Sequence, residues 1–141
     1  MSVHPFPSVS SYLPGFEHSV LALAEVCDHL RPFHATVCLD GQGWVRDLTI
    51  FDHPDASPDD ALDWAEHAVA TDLDVVSVVL WSADGEPVVP VAEDDVSWFL
   101  AAQGLVGSSG AVLDDWVRTD GEVFRSMAIT CGTASPRWLA S

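Results

Sequence analysis

The chain has 141 residues, of which 48% are hydrophobic, and this is enough for one domain with a sizeable core. It carries 22 acidic residues against five arginines and no lysine, for a formal net charge of −17. Because phosphate groups are bound by clustered Lys and Arg, this balance disfavours direct binding to nucleic acid or to anionic membranes. We therefore expect an acidic globular protein, or an acidic surface that docks on a basic partner.

No segment predicts a membrane anchor or a secretion signal. The apolar runs fall short of the roughly 18 residues that span a bilayer. The N-terminus has no basic residue followed by an apolar segment. The three cysteines, Cys27, Cys38 and Cys131, are widely spaced, which favours reduced packing residues over a disulfide framework. These features predict a cytoplasmic protein.

Composition divides the chain into three parts. Residues 1–13 are rich in Pro and Ser and predict a flexible N-terminal segment. Residues 14–131 predict a single domain, and residues 132–141 predict a loose C-terminal tail. The sequence contains no internal repeat and no low-complexity segment.

Hydrophobic spacing predicts an α/β domain with a mixed sheet and helices on both sides, in the order α-β-β-α-β-α-β-β. The clearest boundary is that of the second helix. Ser57 is typical of an N-cap, Pro58 of the first helical position, and two aspartates follow in the first turn. The other predicted elements are helices at 16–30 and from 93 to Gly104 or Gly107, and strands at 34–39, 44–51, 75–81, 111–117 and 122–129. A turn predicted at residues 40–43 joins the first two strands into a hairpin.

The stretch from Val75 to Asp95 is typical of a functional site. It opens with a β-branched apolar run that predicts a strand buried on both faces. A Gly/Pro loop follows at 82–92, and Glu93, Asp94 and Asp95 then begin a helix. Since α/β folds usually place their sites where a buried strand ends beside a helix N-terminus, we expect the site here.

This stretch, together with the segment Leu113-Asp114-Asp115-Trp116-Val117-Arg118-Thr119-Asp120-Gly121, resembles the metal-binding core of the JAB/MPN family in its bacterial RadC-like branch. In that family His-x-His-Pro ends the central strand and Ser-x-x-Asp closes the loop onto the next helix. The second segment is similar to the family's Leu-Asp-His-Leu-Ile-Ile-Gly-Asp-Gly, with Asp115 at the histidine. The resemblance covers about Phe33 to Met127 and implies a JAB/MPN-like domain with cytidine-deaminase-like layering.

The resemblance implies a zinc site that has lost most of its ligands. In the family two histidines and an aspartate hold zinc and leave the fourth position for water. Here Ser82 and Asp84 stand at the histidines, Ala92 at the serine, and only Asp95 keeps the aspartate. Asp47 is the nearest counterpart of the family's upstream glutamate. Because a neutral hydroxyl is a weak zinc ligand and two carboxylates suit Mg or Ca better, we expect no catalytic residues and no cofactor.

We therefore predict a non-catalytic domain that acts as a protein-interaction or scaffold module, paired with a protein partner or a second copy. The chain has six tryptophans, and tryptophan is favoured at interface hot spots. The binding residues are predicted to be Trp81, Asp84, Glu86 and Trp98, on the face formed by Trp81–Pro90 and the start of the next helix.

Two alternatives stay open. The first is a metal-dependent, isopeptidase-like hydrolase with a rewired site formed by Asp84, Asp95 and His53. The second is an acidic decoy that mimics nucleic acid and binds a basic protein.

Overall fold

The computed structural model describes residues 32–42, 44–83, 91–120 and 124–132. These residues form a single five-stranded mixed sheet with strand order β2-β1-β3-β4-β5. Its strands β3 and β4 run parallel, and all other neighbours are antiparallel. The elements are β1 (Phe33–Leu39), β2 (Val45–Phe51), α1 (Pro58–Thr71), β3 (Ser77–Ala83), α2 (Glu93–Ser108), β4 (Val112–Thr119), β5 (Phe124–Ser126) and α3 (Met127–Cys131).

The predicted first hairpin is confirmed. Strands β1 and β2 pair antiparallel from His34 opposite Phe51 onward. The turn is fixed by Asp40, whose carboxylate accepts the backbone N–H groups of Gln42 and Trp44 at 2.9 and 3.0 Å. An aspartate that binds its own following backbone in this way is a common turn former, so the local sequence specifies this hairpin.

Helix α1 begins where its sequence predicts. Ser57 has an extended backbone and caps the helix, and Pro58 occupies the first helical position. The Asp60 carboxylate accepts the Ser57 backbone N–H at 3.0 Å, which satisfies a donor at the helix start. The buried side of α1 contains Leu62, Ala65 and Val69, as expected from their spacing.

Two boundaries differ from the prediction. Strand β3 runs over Ser77–Ala83, two residues later than expected, although Val76 still bonds to both neighbouring strands through its N–H and its carbonyl. Helix α2 continues through Gly104 to Ser108. Glycine lowers helix stability by only about 1 kcal/mol, so flanking residues that are packed on the sheet carry the helix past it.

The predicted strand 122–129 is wrong in its second half. Strand β5 ends at Ser126, and Met127–Cys131 form the short helix α3. Ser126 caps this helix, because its hydroxyl accepts the Ile129 backbone N–H at 3.2 Å. Gly132 ends it with a left-handed backbone at φ 68°. A local cap at each end thus supports the helix, although the intervening residues favour a strand.

The two faces of the sheet contribute to separate apolar clusters. One cluster joins α1, α2 and α3 to sheet residues that include Cys38, Val78, Leu80 and Trp116. The other consists, among the described residues, of strand side chains that are at most 1% exposed: Phe33, Ala35, Val37, Leu39, Val79, Trp81 and Val117. The α/β class with a mixed, helix-flanked sheet is therefore confirmed, and all three described helices lie on the first face.

Several predictions fall outside the described residues. They are the N-terminal segment 1–13, the helix at 16–30, most of the loop 82–92, and nearly all of the tail 132–141. Within the described ranges, no helix is both long enough and apolar enough to cross a membrane.

Candidate functional site

The end of β3 meets the start of β1 and the end of β4 at one edge of the sheet. Ser82 pairs with His34 on one side and with Arg118 on the other. The N-terminus of α2 reaches the same edge, because Asp95 forms an ion pair with Arg118. We call His34, Ser82, Asp95, Trp116 and Arg118 the polar edge.

The Ser82 hydroxyl is held between two side chains. Its oxygen accepts the indole N–H of Trp116 at 2.8 Å and lies 2.8 Å from Nδ1 of His34. An indole N–H can only donate, so the Ser82 oxygen accepts from Trp116. The Ser82 hydroxyl can then donate its own proton to Nδ1 of His34 in the tautomer that leaves this nitrogen unprotonated. All three residues are at most 3% exposed. They form a buried network that fixes β1, β3 and β4 to one another.

A serine beside a histidine is also the arrangement of nucleophilic catalysis, so exposure decides between the two roles. Ser82 is only 1% exposed, and its oxygen is already used by Trp116. No substrate carbonyl can reach this oxygen without opening the core. The pair is therefore a structural contact in this conformation.

The Asp95 carboxylate is occupied by Arg118. The Arg118 guanidinium donates to it through Nη1, and the two side chains are 8% and 27% exposed for Arg118 and Asp95. The guanidinium carbon also lies 5.1 Å from the centroid of the Trp116 ring, within the range of a cation–π contact. Thus Asp95, the one ligand position that the family resemblance preserves, is paired with the positively charged side chain of Arg118.

Trp98 covers this arrangement from the side of α2. Its ring centroid lies 4.5 Å from that of Trp116, with a 51° tilt between the planes. Its indole N–H donates to the Asp59 carboxylate in the first turn of α1 at 2.8 Å. Trp98 therefore links α2 to α1 and β4, and it is only partly exposed.

Of the other predicted binding residues, the structure describes only Trp81. Trp81 is 1% exposed and belongs to the second apolar cluster, so in this conformation it packs inside the protein, and its role in binding stays a prediction. It is buried because β3 is covered on both of its faces. Asp84 and Glu86 lie outside the described residues.

Of the three proposed ligands of a rewired metal site, His53 and Asp95 belong to the described residues and Asp84 does not. His53 lies 3.7 Å from Asp60, at the start of α1. Asp47 accepts the Trp64 indole N–H at 2.7 Å and the Thr49 hydroxyl at 2.8 Å, which is a structural role. No group of three or more His, Cys, Asp or Glu side chains that could hold a metal occurs in the described parts of the chain.

Asp115, which stands at the histidine of the second segment, is a structural acceptor. It is fully buried and accepts the Ala128 backbone N–H at 2.9 Å and the Ser126 hydroxyl at 2.6 Å. A carboxylate that binds backbone donors at a helix start stabilises that helix, so Asp115 holds α3 against β4.

A cavity of about 460 Å³ opens beside the polar edge. His34 belongs to its wall and is the residue that joins the cavity to the polar edge. The remaining lining comes from the segment before β1 and the loop after β2, namely Pro32, Asp52, His53, Pro54 and Ala56.

The described cysteines show no features of a nucleophile. Burial raises the pKa of the Cys38 thiol to about 12, with a smaller effect from the negative charges of Asp47 and Asp72. Burial and the nearby Asp115 also raise the pKa of Cys131. Both thiols are free and stay protonated at neutral pH, so the prediction that Cys38 is a packing residue is confirmed.

Sequence reasoning did not identify His34, Trp116 and Arg118 as parts of the site. The signal that could have found Arg118 is the alternation Trp116-x-Arg118 in a strand predicted to follow the central one. Side chains two apart share a face, and ends of parallel neighbours meet at one edge. Comparison with protein-family models, curated proteins and solved structures found no match to this chain.

Proposed function

We propose that this chain is a JAB/MPN-like, RadC-like domain without a catalytic metal, which acts by binding another protein chain. The resemblance supplies the family, and the side-chain contacts support the loss of catalysis. The observation that carries the proposal is the ion pair between Arg118 and Asp95.

Displacing Arg118 from Asp95 would be costly. A metal that used Asp95 would take this carboxylate away from the Arg118 guanidinium, whose side chain is 8% exposed. Breaking a buried ion pair by removing one partner costs about 3–5 kcal/mol, and a partly buried pair costs somewhat less. The metal would have to offset this cost with a ligand set in which Ser82 is a neutral, buried hydroxyl.

The net charge of −17 supports a protein partner in preference to nucleic acid. The free thiols of Cys38 and Cys131 fit a reducing compartment, and we extend the proposal to a cytoplasmic location.

The test is the metal response of the purified full-length chain. We expect no stoichiometric zinc, manganese or magnesium after purification, and no rise in melting temperature when each metal is added. Isopeptide and peptide substrates should stay uncleaved under the same conditions.

A matched pair of variants makes the test specific. Asp95→Asn removes the carboxylate at the proposed site, whereas Asp94→Asn removes an exposed carboxylate from the same helix turn. Stoichiometric metal together with a melting shift that Asp95→Asn abolishes and Asp94→Asn retains would overturn the proposal in favour of the hydrolase.

A further inference from the structure

Beyond its first turn, which carries Glu93, Asp94 and Asp95, the side of α2 that points away from the sheet is exposed and uncharged. Helix α2 buries Phe99, Ala102 and Val106. At 3.6 residues per turn, the opposite side forms an arc of about 140°. We call this side the outer face of α2; its residues are Ser97, Leu100, Ala101, Gly104, Leu105 and Ser108.

Two leucines border a centre of small residues on this face. Leu100 and Leu105 are 47% and 49% exposed. Between them lie Ala101 and Gly104, which project little beyond the helix backbone. Such a shape admits a second helix at close distance, because the separation of packed helices depends on the side chains at their contact.

The charge pattern favours a second copy over a basic partner. No charged residue occurs between Asp95 and Asp114, although the chain carries a net charge of −17. A basic partner would gain nothing from this face and would prefer the acidic surfaces. A second copy has the opposite requirement, because a two-fold contact places a surface against itself and like charges there would repel.

Contacts among the described residues give no reason for a glycine at position 104. A Cβ added there would meet no atom within 4 Å. Glycine in a helix interior destabilises the helix relative to alanine, so its presence is unfavourable to the isolated protomer. Against another helix, its missing side chain permits close approach.

We propose that the outer face of α2 binds the same face of a second copy, with the two helices packed antiparallel about a two-fold axis. An axis near Ala101 and Gly104 places the two copies of Leu100 along one border of the contact and the two copies of Leu105 along the other. The proposal rests on the proposed function, since it names the binding partner as a second copy. Because α2 is only about 24 Å long, its contact is smaller than a standard interface, and we expect a weak, concentration-dependent dimer.

The experiment is sedimentation velocity of the full chain from about 5 to about 500 µM, a range that brackets micromolar affinity. We expect the wild-type chain to shift from monomer to dimer, and to do so at lower concentration in higher salt, which screens the repulsion between acidic copies. The double variant Leu100→Glu/Leu105→Glu should stay monomeric throughout. Leu73→Glu makes the same change at a 92% exposed site between α1 and β3 and should behave as wild type.

Two further variants separate association from folding. Mixing Leu100→Glu/Leu105→Glu with Leu100→Lys/Leu105→Lys should restore a dimer, because opposite charges then face each other. Gly104→Gln should raise the melting temperature of the monomer by improving the helix, and yet weaken the dimer at least tenfold by filling its centre.

A wild-type chain that stays monomeric at every concentration would overturn this inference. So would a dimer that Leu100→Glu/Leu105→Glu and Gly104→Gln leave unchanged. Either result leaves the absence of metal chemistry standing, whereas metal-dependent hydrolysis would overturn the proposed function whatever the oligomeric state.

Discussion

The polar edge, which includes Asp95 in the first turn of α2, and the outer face of the same helix have opposite character. At the polar edge, every residue that resembles catalytic machinery is engaged by another side chain. Ser82 bonds to Trp116 and His34, and Asp95 pairs with Arg118. On the outer face the exposed leucines have no comparable role in the described core. Residue types that are reactive in other sites can therefore serve stability, while exposed apolar residues remain available for binding.

The largest expected effect on stability comes from removing the residue that touches most of the polar edge. Trp116→Ala removes a ring that is 2% exposed and leaves Ser82, Trp98 and Arg118 without their contact. We expect the free energy of unfolding to fall by about 3–5 kcal/mol. Urea denaturation followed by circular dichroism measures it. Trp44→Ala, at a 51% exposed position, should cost less than about 1 kcal/mol, and equal losses would contradict the comparison.

A smaller loss is expected from a single hydroxyl. Ser82→Ala leaves the buried Trp116 indole N–H without this acceptor, which costs about 1–3 kcal/mol. Ser97→Ala makes the same change on the exposed outer face of α2 and should stay within about 0.5 kcal/mol of wild type. The same denaturation experiment compares them. If Ser82→Ala leaves the free energy of unfolding unchanged, the hydroxyl does not stabilise the fold.

The smallest expected effect on stability concerns the exposed ion pair between Arg46 and Asp72. Two hydrogen bonds lower the pKa of Asp72 below its ordinary value of 3.8. The larger effect comes from the backbone N–H of Asp74 and the smaller one from the Arg46 side chain. A lowered folded pKa contributes stability that is present above the ordinary value and is lost as the pH falls through the folded pKa. The stability difference between wild type and Asp72→Asn should therefore be small at pH 7 and vanish in acid. A difference that grows on acidification would contradict this assignment.

Much of the fold could be predicted because its signals are local. The turn at Asp40 and the cap at Ser57 are specified by neighbouring residues, and both occur as expected. Strand 122–129 was predicted too long, because its apolar residues favour strand while Ser126 and Gly132 define a helix between them. Contacts with β4 decide between helix and strand here, and these contacts cannot be read from the local sequence.

The location of the candidate site was predictable, but its chemistry was not. A buried strand that ends beside a helix N-terminus identified the edge at Ser82 and Asp95. The ion pair joins Asp95 to Arg118, 23 residues further along the chain, and depends on the parallel register of β3 and β4. No spacing rule within the sequence supplies that register, so the alternation of β4 could place Arg118 near this edge but could not pair it with Asp95.

The most direct test of the central claim is a double-mutant cycle on Asp95 and Arg118. The free energies of unfolding of wild type, Asp95→Ala, Arg118→Ala and the double variant would be measured by urea denaturation. If Arg118 is the built-in partner of Asp95, the cycle gives a coupling energy of about 2 kcal/mol. Strict additivity would mean that the pair does not stabilise the fold, and Asp95 would again be available as a metal ligand.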